Sequence, residues 1–303
     1  VTPPGVLLAI DFGGTKIEIA LASWGGSEGA GPKPRVLGRT RLETLADEGA
    51  AQAVGRALDA SEDLLAVSEG AGLRAVGVST MGFTHAERVD LAPNVPGWED
   101  LRLPAALRAR FSAVPVAIDN DVRAAARAEL RWGGLRGAVT ALYVNLGTGV
   151  AATVITGGRV LEGAHGIAGE VGYWLVRTGD TWGRLEEEVG GRGVRRRADA
   201  AGIRAGFESL LSSPSSTARA LTEDVIDAVS AHVANMALMV DPERVVLGGG
   251  YVGSPRVVGA IRDRLAASFP LRARSPVVAV GDFGSDAALY GAVALAEDAA
   301  ATR

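Results

Sequence analysis

The chain contains no cysteine in 303 residues. That excludes disulfides and any zinc site built on thiolates, and it agrees with a cytoplasmic location. Histidine is scarce as well, with His85, His165 and His232 far apart. No stretch approaches the roughly 20 apolar residues of a membrane span, and the opening VTPPG lacks the basic start of a secretion signal. Positive charge is not in excess: the formal net charge is -4, with both signs mixed along the chain. The electrostatic footprint of a nucleic-acid or anionic-membrane binder is therefore absent. The local exception, GRGVRRR at 191 to 197, is expected to be a solvated helix face.

What is present is an ordinary globular composition, 48% hydrophobic and 22% charged, in a chain long enough for two domains with cores of their own. Residues 7 to 23, LLAIDFGGTKIEIALAS, read as strand, glycine turn, strand, because Ile17, Ile19 and Leu21 alternate with small or polar neighbours. A Gly/Pro-rich loop tip follows at 24 to 34, then a helical pattern and the buried-strand run RAVGVST at 74 to 80. The stretch from Thr84 to Leu101 has turn signals and no period, which predicts a long surface loop. VPVAID at 114 to 119 is a strand running into a helix, VRAAARAEL. Residues 141 to 158, ALYVNLGTGVAATVITGG, then repeat the opening pattern, suggesting two related α/β domains. A helix is predicted from about 217 to 240, a strand ending in glycines at 244 to 250, and a closing helix near the C-terminus. Strands alternating with helices imply mixed or parallel sheets covered by helices.

The glycines carry the chemistry. Gly13 and Gly14 let backbone amides approach a ligand, Thr15 adds a hydroxyl and Lys16 a positive charge, a combination suited to phosphate oxygens. Asp11 fits beside an anion when a divalent cation lies between them, Mg²⁺ being the usual guest of such a carboxylate, directly or through water. Taken alone, a plain hairpin turn accounts for these residues as well, since short glycine motifs often occur by chance. A second turn, Gly147-Thr148-Gly149, and a third cluster, Gly248-Gly249-Gly250, follow strands in the other half. Their joint occurrence in this order favours phosphate and a flat nucleoside. Phosphoryl transfer also needs a group that positions and deprotonates an acceptor hydroxyl. Asn120 and Asp121 stand where a strand meets a helix, a place equally natural for a helix cap. Glu170, in the glycine-rich stretch LEGAHGIAGEVGY, offers an acceptor for sugar hydroxyls. Glu186 to Glu188 open a further helix, where acidity in the first turn is favoured by the helix dipole.

The motifs DFGGTK, NDVRAAARAE, GTGVAATVITGGRVLEGAHGIAGEVGY, LEEEVGGRG, VVLGGG and DAALYGAVALA occur in an order that resembles the ROK family of sugar kinases and related repressors, which includes bacterial glucokinases. The resemblance runs from about residue 6 to 296. It implies an α/β chain with the two-domain actin-like, ribonuclease H-like ATPase fold. Residues 1–118 would form a smaller domain closed by the C-terminal helix at about 287–303, and residues 119–286 a larger one, with ATP and sugar in the cleft between them. It implies Mg²⁺- and ATP-dependent phosphorylation of a sugar hydroxyl, usually the 6-OH of a hexose. By the same resemblance Asp121 is the catalytic base, and Asn94, Asn120, Glu170 and Glu186 contact the sugar. Asp11, Gly13, Gly14, Thr15 and Lys16 form the first phosphate loop, Gly147, Thr148 and Gly149 the second, and Gly248, Gly249 and Gly250 lie on the adenosine side. A homodimer is implied too.

The departures are specific. Tyr173 stands where many members have a histidine that binds zinc and sugar, and RTGDTWGRLEE replaces their cysteine loop. No zinc is expected, and packing by Trp174 and Trp182 has to order the segment. Arg123 stands two residues after the base in place of an asparagine, and Met81-Gly82 in place of Pro-Gly. These changes leave glucose itself open against an amino sugar, an N-acetyl sugar or a C7 cyclitol, and ATP against polyphosphate as donor. A sugar-responsive repressor would need a DNA-binding segment before the first strand, for which the opening residues leave no room. A sensor without catalysis is disfavoured by the retained Asp121 and DFGGTK.

Overall fold

The computed structural model describes residues 5–25, 31–66, 71–85, 87–90, 92, 94–270 and 274–302. The chain divides into two compact units, one of Val1–Gly133 with Asp286–Arg303, the other Gly134–Ser285.

The first unit comprises β1 (Gly5–Phe12), β2 (Lys16–Trp24), β3 (Val36–Glu43), α1 (Ala50–Ala66), β4 (Gly72–Thr80), β5 (Phe83–Thr84), β6 (Val89–Asp90), α2 (Leu103–Arg110), β7 (Val116–Asn120) and α3 (Asp121–Trp132), closed by the last helix, α9 (Ala287–Ala301). Its sheet has the order β3-β2-β1-β4-β7. β1 pairs antiparallel with β2 and parallel with β4, and β4 pairs parallel with β7. β1 is apolar nearly throughout because both faces of the sheet are covered. Val6, Leu8, Ile10 and Phe12 join Ile17 and Ile19 in a core with α1 residues, whereas Leu7, Ala9, Ala20 and Ala22 pack with Leu289, Ala292 and Val293 of α9. The unit includes α3 because that helix packs on α9: Gly291 lies directly against the backbone of Ala124.

The stretch expected as a surface loop after Thr84 is exposed at His85, Glu87, Arg88, Pro96, Gly97, Glu99 and Asp100, but it is anchored in this core. β5 and β6 form a small antiparallel hairpin, and Val89, Ala92, Val95 and Trp98 are buried. Trp98 meets the Phe12 ring edge-on at 5.4 Å. The four buried residues recur at every third position, which matches neither the alternation of a strand nor the period of an α-helix. Ala86, Leu91 and Pro93 of this stretch, and residues 26–30 of the expected loop tip, lie outside the described residues.

The second unit holds β8 (Ala141–Leu146), β9 (Val150–Thr156), β10 (Arg159–Val160), β11 (Leu175–Thr178), β12 (Thr181–Arg184), α4 (Leu185–Val189), α5 (Gly191–Ala200), α6 (Phe207–Leu211), α7 (Ser216–Val240), β13 (Arg244–Gly248), α8 (Pro255–Ser268) and β14 (Val277–Val280). Its sheet order, β10-β9-β8-β13-β14, repeats that of the first, with an antiparallel hairpin at one side and parallel strands at the other. Val144, Leu146, Val245 and Leu247 pack with Val225, Val229 and Val233 of α7 and with Ile261 and Leu265 of α8. Trp174 packs on this core and lies 6.1 Å from the His232 ring. Trp182 takes no part in that packing; it stands 67% exposed on β12, in a two-stranded ribbon with β11.

Candidate functional site

In the first unit the parallel pairing of β1, β4 and β7 brings their carboxyl ends to one edge. Asp11 lies opposite Ser79, and Ser79 opposite Asp119; one residue on, Phe12, Thr80 and Asn120 align. Such an edge is where open α/β sheets offer groups to ligands, because the chain leaves the sheet there. The turn after β1 is tight: Gly13 N–H donates to the Lys16 carbonyl at 3.0 Å, and a Cβ on Gly13 would lie 2.8 Å from that oxygen. A Cβ on Gly14 would lie 3.3 Å from Cβ of Asn94, so Asn94 packs on the turn although 80 positions separate them in the numbering. Thr15 is exposed at its tip. Lys16 Nζ donates to Glu18 Oε1 at 2.9 Å.

Two residues that sequence reasoning missed hold this edge in place. Thr44, fully buried, donates its N–H to Thr15 O at 3.0 Å and its hydroxyl to Gly13 O at 2.7 Å. Ser79 donates its hydroxyl to Asp11 Oδ1 at 2.8 Å. Burial pushes the Asp11 carboxyl up to about 7; the Ser79 hydrogen bond opposes this, and the charge of Asp121 adds to it.

Asn120 caps α3, its Oδ1 accepting from Arg123 N–H at 2.7 Å. Asp121 opens the helix and its Oδ1 accepts from Val122 N–H at 2.9 Å. Its side chain reaches solvent, yet the protein packed around it removes much of the water that would solvate a charge. That desolvation pushes the carboxyl above the usual range, against the backbone hydrogen bonds and the Arg123 charge, which lower it. Asp119 lies buried behind them, bound by Arg123 Nε at 2.5 Å and Arg127 Nε at 3.1 Å.

In the second unit the turn Gly147-Thr148-Gly149 sits beside the glycines that end β13, since Gly248 pairs with Asn145 of β8. A Cβ on Gly147 would be 3.5 Å from Gly250 N. Gly249 has φ +86°, and a Cβ there would meet Leu146 O at 2.3 Å, so only glycine fits. Gly191 at the start of α5 donates its N–H to Gly147 O at 2.8 Å. Glu186 Oε2 accepts from Val150 N–H at 3.1 Å and would lie 2.5 Å from a Cβ on Gly149. The same carboxylate borders Gly172, between Glu170 and Tyr173, so this segment joins the turn through Glu186. Tyr173 is exposed, with the Arg184 guanidinium 4.6 Å above its ring.

A divalent cation fits the edge of the first unit's sheet. Asp11 is a desolvated carboxylate whose discomfort is increased by a second carboxylate, a field that a cation relieves. No group of three His, Cys, Asp or Glu side chains able to hold a metal alone occurs among the described residues. Asp11 would hold such a cation, directly or through water, and the cation would supply charge neutralisation to an anionic ligand. In the second unit the glycines bare the backbone amides that could face phosphate or a flat ring.

Two glycine turns on repeated mixed sheets, one followed by a carboxylate at a helix start, define an α/β protein with the actin-like ATPase fold. The chain belongs to the ROK family, whose family model matches residues 7–299. It is 29% identical over 300 residues to the bifunctional enzyme NanE/NanK of Brucella melitensis, covering 97% of this chain and 54% of that protein. The chain thus spans about half the length of that relative. It is 26% identical to the glucokinase of Thermotoga maritima over 86% of each chain. Among solved structures it resembles a ROK hexokinase from Thermus thermophilus (TM-score 0.78, 28% identity, covering 96% of this chain and 97% of that one). It also resembles a ROK glucokinase from Streptomyces griseus in complex with glucose and AMPPNP (TM-score 0.75, 25% identity, covering 97% and 100%).

Proposed function

We propose that this chain is an ATP-dependent sugar kinase that transfers the γ-phosphoryl group to a hydroxyl of a hexose, the 6-OH in the glucokinase-type reaction. The observation that carries the reading is Asp121: a carboxylate at a sheet edge, beside Asn120, in surroundings that raise its proton affinity. A carboxylate at a helix start is a weak base in water; here desolvation moves it toward the range in which it can take a proton. Asn120 and Asn94 orient the acceptor, and Asp121 accepts the hydroxyl proton as the oxygen bonds to phosphorus and the bond to the departing ADP oxygen breaks. Asp11 would hold Mg²⁺, which would supply charge neutralisation of the phosphates. The Gly13-Gly14 and Gly147-Gly149 turns supply amides that orient the donor, and alignment contributes most in so loose a transition state.

Glu170, Glu186 and Tyr173 form the remaining sugar-contact set. Tyr173, whose ring is paired with the Arg184 guanidinium, replaces a histidine at the anomeric side, which leaves an N-acetyl sugar, an amino sugar or a cyclitol as the alternative acceptors to glucose. The test is ADP release with Mg²⁺ATP, and separately with polyphosphate as donor, across glucose, mannose, fructose, glucosamine, N-acetylglucosamine, N-acetylmannosamine and cyclitols. Turnover on one acceptor that collapses in Asp121→Asn supports the reading. Silence on all of them with both donors overturns it.

A further inference from the structure

We infer that Arg123 is a positioning residue for the acceptor, fastening the β5–β6 hairpin to the strand end that carries Asn120 and Asp121. The inference rests on the kinase reading above. Arg123 is only 3% exposed, and a guanidinium that far from water costs several kcal/mol unless its donors are met. α3 is buried at Val122, Ala124, Ala125, Ala126, Ala128 and Glu129 as well, so the helix lies against the protein along most of its length. Two of the Arg123 donors go to two different elements. Nε binds Asp119 Oδ1 at 2.5 Å, and Nη2 donates to Thr84 Oγ1 at 2.9 Å.

Each partner leads to a residue proposed to touch the acceptor. Asp119 Oδ1 also accepts the Asn120 N–H at 2.8 Å, so the carboxylate gripped by Arg123 sets the main chain of Asn120. Thr84 belongs to the hairpin that departs from β4 just past Thr80, which is the register partner of Asn120. The chain continues from that hairpin to Asn94, packed on Gly14. Arg123 thus ties the strand end that carries Asn120 to the hairpin from which the chain runs on toward Asn94. The planar fork matters, because a lysine offers one ammonium on a flexible stem and cannot hold both oxygens in fixed directions.

The test uses Thr84→Val, Arg123→Lys and the double variant, with kcat, acceptor KM, ATP KM and thermal unfolding measured on the acceptor the unmodified protein turns over. Thr84→Val, which removes one hydroxyl at nearly constant volume, is expected to raise acceptor KM about tenfold or more and to lower kcat, the scale of one lost hydrogen bond to a charged group, with ATP KM unchanged. Arg123→Lys is expected to do at least as much, and the double variant no more than Arg123→Lys, because both changes cut one link. A folded Thr84→Val with unmodified acceptor KM and kcat, or effects that simply add, would overturn the inference while leaving the kinase reading intact. An unmodified protein that turns over no acceptor overturns both.

Discussion

Gly291 of α9 lies so close to Ala124 of α3 that a Cβ at position 291 would stand 2.0 Å from the Ala124 carbonyl oxygen. The contact sets the seat of the helix whose first residue is Asp121. Gly291→Ala must push the two helices apart, an overpacking cost of about 1–3 kcal/mol. We expect the melting temperature to fall by about 3–8 °C, and kcat to fall in the protein that remains folded at the assay temperature. An unchanged melting temperature would show that the approach is not tight.

The acid limb of stability should report Glu18. Burial raises its pKa, but hydrogen bonds from Lys16, Arg41 and Arg39 outweigh this and hold the carboxyl at about 2. The folded pKa lies below the unfolded value, so the contribution is fully present above the ordinary carboxylate pKa and is lost as pH falls from about 4.5 toward 2. With solvent screening of the exposed Arg41 the size is about 2 kcal/mol. Denaturant unfolding of the unmodified chain and Glu18→Gln, compared at pH 6 and pH 3, should show a gap that narrows at the lower pH. A gap that widens there would reverse the sign of this assignment.

Ser79 is buried with its hydroxyl on Asp11. Ser79→Ala leaves the fold able to form but frees the carboxylate to turn. We expect the Mg²⁺ concentration at half-maximal activity to rise about tenfold, the usual cost of removing a group that orients a metal-site carboxylate. An unshifted Mg²⁺ dependence would separate Asp11 from the cation.

Glu186 links the second turn to the segment carrying Glu170 and Tyr173. Its loss should therefore be felt by the donor as well as the acceptor. For Glu186→Ala we expect KM to rise for ATP and sugar together, each by about five- to tenfold. A rise confined to the sugar would make the Val150 hydrogen bond incidental.

Much of this is legible in the sequence, for local reasons. The turns at Gly13-Gly14 and Gly147-Gly149 announce themselves because glycine interrupts apolar strands, and the repeated strand-turn-strand pattern anticipates the repeated sheet order. Asn120 and Asp121 stand at a strand-to-helix junction visible as such. What is not legible depends on distant pairs. Thr44 and Ser79 act on Gly13 and Asp11 across 31 and 68 positions, and nothing near either residue marks the partner. β3, half exposed along its length, lacks a run of apolar residues. The stretch after Thr84 reads as surface because Val89, Ala92, Val95 and Trp98 enter the core at every third position, a spacing that is neither that of a strand nor that of an α-helix. The residue type of Trp182 suggests packing, whereas β12 turns it to solvent.

The most direct measurement is kcat for Asp121→Asn beside the unmodified protein on its best acceptor, with nucleotide and acceptor binding measured in parallel. The carboxamide keeps the size of the side chain and removes its ability to take the proton. The account expects kcat to fall by about 10²- to 10⁴-fold with both affinities retained. A variant that binds both ligands and turns over within threefold of the unmodified enzyme would contradict it.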